Sequence, residues 1–147
     1  MASFGYQVLG FGAGGRAPQD PFTADFLVIG GGGSGYGGGF GPGRGAGGGG
    51  GYRNSYNSET SGRNSSSESA LTLVGGTTYT ITVGAGGVQG TPGDNGLNAG
   101  GFNSVLSGAD ITDITSNGGG GGAYNGSNNT YYPTNGGSGI VIIRYSA

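Results

Sequence analysis

At 147 residues the chain is one domain's worth of sequence, and 42 of those residues are glycine. Five arginines against seven Asp and Glu give a net charge of -2, so no basic patch is expected to draw the chain to nucleic acid. Cys, His and Lys are absent, which excludes a disulfide framework, a Cys/His metal site and a P-loop, and leaves carboxylates, hydroxyls and arginines as the only chemistry.

Residues 1–21 differ in composition from the rest of the chain. Phe4, Tyr6, Val8, Leu9 and Phe11 form a short aromatic and apolar segment, followed by Gly12–Gly15 and then by Pro18 and Pro21. Phe4, Tyr6 and Val8 alternate with Gly5 and Gln7, which suits an edge strand presenting one face, and the prolines forbid its simple continuation. The segment reads as a partner-docking arm with a linker, or as a first strand of the domain at 22–147.

Phe26, Leu27, Val28 and Ile29 then form the densest apolar run of the first half, too short for a core helix and composed like a strand buried on both faces. They feed straight into Gly30–Gly33. The spelling Gly30-x-Gly32-x-x-Gly35 matches the dinucleotide fingerprint, but that motif needs a following helix, and the glycines up to Gly51 exclude one. Glycine costs about 1 kcal/mol relative to alanine at each helix position, so this tract is either loop or polyglycine II, the glycine analogue of the polyproline II helix. If its backbone packs on backbone, Gly32→Val is expected to disrupt folding or assembly.

Residues 52–69 are rich in Asn, Ser and Arg, lack apolar periodicity and read as an exposed loop. Leu71–Val74 and Thr77–Val83 flank Gly75-Gly76 and read as a hairpin, with Tyr79, Ile81 and Val83 on one face of the second strand. Gly87, Gly90, Gly93 and Gly96 recur every third residue, the polyglycine II period, though a glycine-rich loop accounts for them equally. Phe102–Ser107 and Ala109–Ser116 supply two further strands broken at Gly108, the second irregular. Gly118–Gly122 is a second polyglycine run, and Ser138–Ser146 the last strand. Ile140–Ile143 repeat the pattern of Phe26–Ile29, which makes these two the central strands.

The expected fold is therefore all-β, a sandwich-like domain of short strands with long glycine-rich loops. Asp110 and Asp113 are the nearest thing to a carboxylate pair and read as solvated turn residues, so no catalytic residue, metal or cofactor is expected. No run approaches the roughly 18 apolar residues of a membrane span, and no signal peptide opens the chain. Because so much glycine carries a heavy entropic cost, burial against other subunits, as in a homo-oligomer, is expected to contribute. Tyr124, Tyr131 and Tyr132 lie among Asn, Ser and Gly, the composition of glycan-stacking surfaces and also of rings that cap a sparse core.

In order, ADFLVIGGGGSG at 24–35, GGGGGY at 47–52, TTYTITVGAGG at 77–87, GFNSV at 101–105, GGGGGA at 118–123 and GGSGIVIIRY at 136–145 resemble a known pattern. It is that of the glycine-rich domain of bacteriophage tail-fibre and other virion proteins, common among phages of marine cyanobacteria. The resemblance covers residues 22–146 and implies a non-enzymatic virion component on the particle surface, assembled in the host cytoplasm. It could be a capsid decoration or small appendage subunit docked through its arm, or an adhesin module binding host surface polysaccharide.

Overall fold

The apolar run at 26–29 sits in strand β1 (Pro21–Ile29), whose side chains alternate: Ala24, Phe26 and Val28 are buried, while Asp25, Leu27 and Ile29 are half-buried. The computed structural model containing it describes residues 20–35, 45–89, 99–122 and 134–145. The arm residues Phe4, Tyr6, Val8, Leu9 and Phe11, the loop residues Tyr124, Tyr131 and Tyr132, and the triplet glycines Gly90, Gly93 and Gly96 lie outside the described residues.

Two antiparallel sheets face each other, so the fold is all-β as expected. In the first, β1 pairs along one side with β2 (Tyr52–Asn54) and β3 (Leu71–Val74), and along the other with β7 (Ile140–Tyr145). The second orders β4 (Tyr79–Thr82), β5 (Ser104–Gly108) and β6 (Ile114–Ser116). Phe26 and Val28 from one sheet meet Leu106 and Ile114 from the other, with Leu71, Tyr79, Val141 and Ile143 packed around them. This core is small.

Three expectations need correction. Leu71–Val74 and Thr77–Val83 do not form a hairpin: β3 pairs with β1 and β4 with β5, so Gly75-Gly76 carries the chain from one sheet to the other. Gly76 makes that passage with a φ of 87°, which an L-residue adopts only at a cost. β7 is neither central nor buried on both faces: among the described residues it pairs only with β1, at the edge of the first sheet, and Ile140 and Ile142 are about half exposed on its outer side. Residues 52–69 are not all exposed loop: Tyr52–Asn54 is a strand, and Asn54, Ser55 and Ser61 are buried. Ser55 Oγ accepts the Phe26 N–H at 2.9 Å and donates to Asp25 Oδ1 at 3.1 Å, which ties that segment to β1.

Beyond the sandwich, β1, β5, β6 and β7 each continue, forward or backward, into glycine segments 30–35, 99–102, 117–122 and 134–139, as β2 and β4 do into 45–51 and 84–87. Segment 30–35 is central, and its amides point in three directions with a three-residue repeat. Gly30 and Gly33 donate to Gly51 and Gly48 at 3.0 and 2.8 Å, and Gly31 and Ser34 to Phe102 and Ala99 at 2.9 and 3.1 Å. Gly32 and Gly35 donate to Gly137 and Thr134 at 2.8 and 3.0 Å. Three residues per turn with every bond leaving the segment is polyglycine II, not loop.

The neighbours also bond one another. Gly48 and Gly51 donate to Gly120 and Asn117, Gly101 to Gly119, Phe102 to Ala85, and Gly136 and Gly139 to Gly87 and Gly84. Around the central segment the order is thus 45–51, 117–122, 99–102, 84–87 and 134–139. Glycine is needed because the backbones nearly touch: a Cβ on Gly31 would lie 2.1 Å from Ala85 O, and one on Gly33 2.0 Å from Gly120 O. Those Cα hydrogens therefore face carbonyl oxygens, weak hydrogen bonds added to the N–H ladder.

Candidate functional site

Directions alternate around the central segment. Segments 45–51, 99–102 and 134–139 run antiparallel to it and accept its amides, and Thr134 also donates back to Gly35 O, while 84–87 and 117–122 run parallel and donate to it, Gly87 to Gly32 O, Gly119 to Gly31 O and Gly122 to Ser34 O. A hexagonal array has six such places and five are filled by described residues. The sixth, between 45–51 and 134–139, is a groove of about 470 Å³ lined by Gly33, Gly35, Ala46, Gly47, Asn135 and Gly137 among others.

The backbone groups around this groove are those a sixth segment would use. Gly31 O takes the Gly119 N–H with the Gly101 Cα against it, and Gly32 O takes the Gly87 N–H with the Gly136 Cα against it. Gly33 O has the Gly47 Cα and Gly30 O the Gly50 Cα, but no N–H among the described residues reaches either oxygen. On the walls, the Gly47 and Gly137 amides have no acceptor among the described residues. Gly32 and Gly35 are half-buried where Gly30, Gly31, Gly33 and Ser34 are buried, the same three-residue repeat seen in exposure. A Cβ on Gly32 would meet nothing nearer than Gly137 N at 3.5 Å, ordinary contact, so Gly32 faces the groove and is not one of the tightly packed positions.

Because 45–51 and 134–139 continue into β2 and β7, the groove runs onto the outer face of the first sheet. There Leu27 pairs with Ile142 and Ile29 with Ile140 and Tyr52, an apolar continuation of the glycine floor. The same face carries a separate cavity of about 210 Å³ among Asp25, Leu27, Tyr52, Tyr56, Ile142 and Arg144, where the Arg144 guanidinium lies 4.5 Å over the Tyr56 ring.

Among the described residues, some ionisable groups hold loops. Arg53 pairs with Glu68 through two nitrogens, with Nε donating to Oε1 at 2.9 Å, and Ser61 Oγ donates to the same carboxylate. The hydrogen bond from Arg53 holds the Glu68 carboxyl below its ordinary range, and Glu68 raises Arg53 in turn. Tyr79 OH accepts the Val74 N–H and donates to Asp110 Oδ2 at 2.7 Å; desolvation first, and then that carboxylate, push the phenol up. Asp110 is thus tied to Tyr79, and Asp113 is exposed. Among the described residues no three carboxylates gather, and no helix is long and apolar enough to cross a membrane.

No sequence signal marked the groove, because nothing in a glycine run says which of its faces will lack a neighbour. The molecule is defined as an all-β protein whose strands extend into a packed polyglycine II bundle. More particularly, the chain belongs to the glycine-rich domain family, whose profile matches residues 12–133. No curated protein and no solved structure matches the chain.

Proposed function

We propose that the protein is a non-enzymatic structural subunit of a bacteriophage particle, a capsid decoration or small surface appendage. One observation carries this reading. Asp20, where residues 1–19 attach, lies at the sheet end of β1, whereas segments 36–44, 90–98 and 123–133 are each entered and left at the far end of the glycine bundle. The subunit thus has an attachment end and a presenting end, separated by about 45 Å of chain along β1 and segment 30–35. A shaft held by backbone hydrogen bonds suits a part that transmits position, not one that changes shape. The likeness to virion glycine-rich domains, together with membership of the glycine-rich family, supports the particle as its setting. Deleting residues 2–11, which precede the family match, is expected to abolish incorporation into particles while leaving circular dichroism unchanged. Incorporation of the deleted chain at normal occupancy overturns the reading.

A second reading, an adhesin for host surface polysaccharide, is favoured by Tyr124, Tyr131 and Tyr132 all falling in a segment tethered at the presenting end. Tyr131→Ala with Tyr132→Ala should then weaken adsorption to cells without loss of assembly, and unchanged adsorption rejects it.

A further inference from the structure

The groove in the glycine bundle dictates what fills it. Its floor offers Gly30 O and Gly33 O three residues apart, its walls offer the Gly47 and Gly137 amides, and both wall segments run antiparallel to 30–35, so the alternation of directions leaves a parallel place between them. The occupant must therefore be extended, donate an N–H every third residue, carry glycine where it crosses the floor, and run parallel to the central segment. Since the lower half of the trough is apolar, with Leu27, Ile29, Ile140 and Ile142 on its surface, the occupant's apolar residues must come before its glycines.

This chain contains such a segment outside its described residues: Phe4, Tyr6, Val8, Leu9 and Phe11, then Gly12, Ala13, Gly14 and Gly15. It does not reach the groove of its own molecule in that direction. With Gly12 and Gly15 opposite Gly30 and Gly33, the chain would have to return from the level of Gly33 to Asp20, about 38 Å along β1 and the central segment. The residues from Gly15 to Asp20 span at most about 18 Å. Entered from Asp20 upward, the direction is reversed, and residues from Phe11 back, which are apolar and bulky, would meet the glycine floor.

We infer that the trough receives the arm of a second copy, residues 4–11 on the apolar sheet face and residues 12–15 as a sixth polyglycine II segment, so that copies are joined arm to trough by strand donation. The inference rests on the trough and not on the virion reading, and it is tested on purified chain without particles.

Gly32→Val places a side chain in the groove at a position where a Cβ meets only ordinary contacts, so the variant keeps the fold and loses the acceptor site. Gly12→Val with Gly15→Val keeps the groove and loses the donor. Sedimentation velocity of the wild-type chain should show concentration-dependent association, and each variant alone should be monomeric. Mixed, a Gly32→Val chain with an intact arm and an arm variant with an open groove should form a 1:1 pair, since one donor and one acceptor remain. Circular dichroism and thermal unfolding establish that each variant is folded, and Gly32→Ala replaces Gly32→Val if the larger side chain disturbs the bundle. A monomeric wild-type chain, undiminished association of a folded groove variant, or a mixture that stays monomeric each overturns the inference.

Discussion

A Cβ on Gly31 would sit 2.1 Å from Ala85 O, and one on Gly120 would meet nothing within 4 Å, although both lie in polyglycine segments. Glycine is required at the first by lack of room and not by an unusual backbone angle, since Gly76 is the only described glycine with a positive φ. Gly31→Ala should therefore cost more than about 3 kcal/mol, because the opposing atom is backbone and cannot rotate away. Gly120→Ala should be neutral or stabilise by up to about 1 kcal/mol by restricting the unfolded chain. Urea denaturation of the two variants checks both, and similar losses would mean that Gly31 and Gly120 are equally crowded. By the same criterion of room, Gly32→Val acts on the groove and hence on assembly, while folding depends on Gly30, Gly31 and Gly33.

The pairing of Arg53 with Glu68 makes a residue-level prediction about pH. Glu68 titrates lower in the folded chain than its ordinary value of 4.5, so its stabilisation is complete above that value and is lost as pH falls through the lowered folded one. Both side chains are partly exposed, at 33% and 25%, which limits the contribution to about 1 kcal/mol or less. Glu68→Gln should lower stability near neutrality by that amount and flatten its decline between pH 5 and pH 3 by a similar amount, estimates on the order set by ordinary carboxylate titration. An acid limb identical to that of the wild type would place the pH dependence elsewhere.

At the scale of elements, each sheet strand that reaches the bundle supplies both a ladder and a direction. β1 and β7 are paired from Ala24 with Tyr145 to Ile29 with Ile140, and that register passes upward into the bonds from Gly32 to Gly137 and from Gly35 to Thr134. Ser104 strengthens a junction between the two storeys by accepting the Gly84 N–H at its buried Oγ, 2.9 Å away. The apolar core beneath is small enough that Leu106, fully buried between the sheets, carries much of it. Leu106→Ala should cost about 2–5 kcal/mol, measured by thermal or urea unfolding. A loss below about 1 kcal/mol would show that the backbone bundle and not the core dominates stability.

At the scale of the molecule, sandwich and bundle share their chains, so they are expected to unfold together. Amides of Gly31, Gly33 and Ser34 should then exchange with solvent as slowly as those of Phe26 and Leu106, despite the absence of side chains around them. Faster exchange of the glycine set alone would reveal two separate folding units. The extended build also explains how a chain with 42 glycines holds a defined shape: successive central peptides bond different neighbours, so ordering one segment orders those beside it.

The class of fold and its grammar are already written in the order of residues. Phe26–Ile29 and Ile140–Ile143 are legible as strands because β-branched and large apolar residues have few other places in so polar a chain, and the glycines after Ile29 exclude a helix by their entropy alone. The polar strand Tyr52–Asn54 was illegible, since it is fixed by partners distant in sequence, Ser55 on Phe26 and Arg53 on Glu68. That Leu71–Val74 and Tyr79–Thr82 belong to different sheets emerges from the three-dimensional pairing. The same pairing sets which glycine run is central and where the array is left open among the described residues. The physical reason is that glycine segments have no side chains to tell them apart. Their partners, directions and free faces are set by the strands they continue and by the packing of those strands, neither of which is written in the glycines themselves.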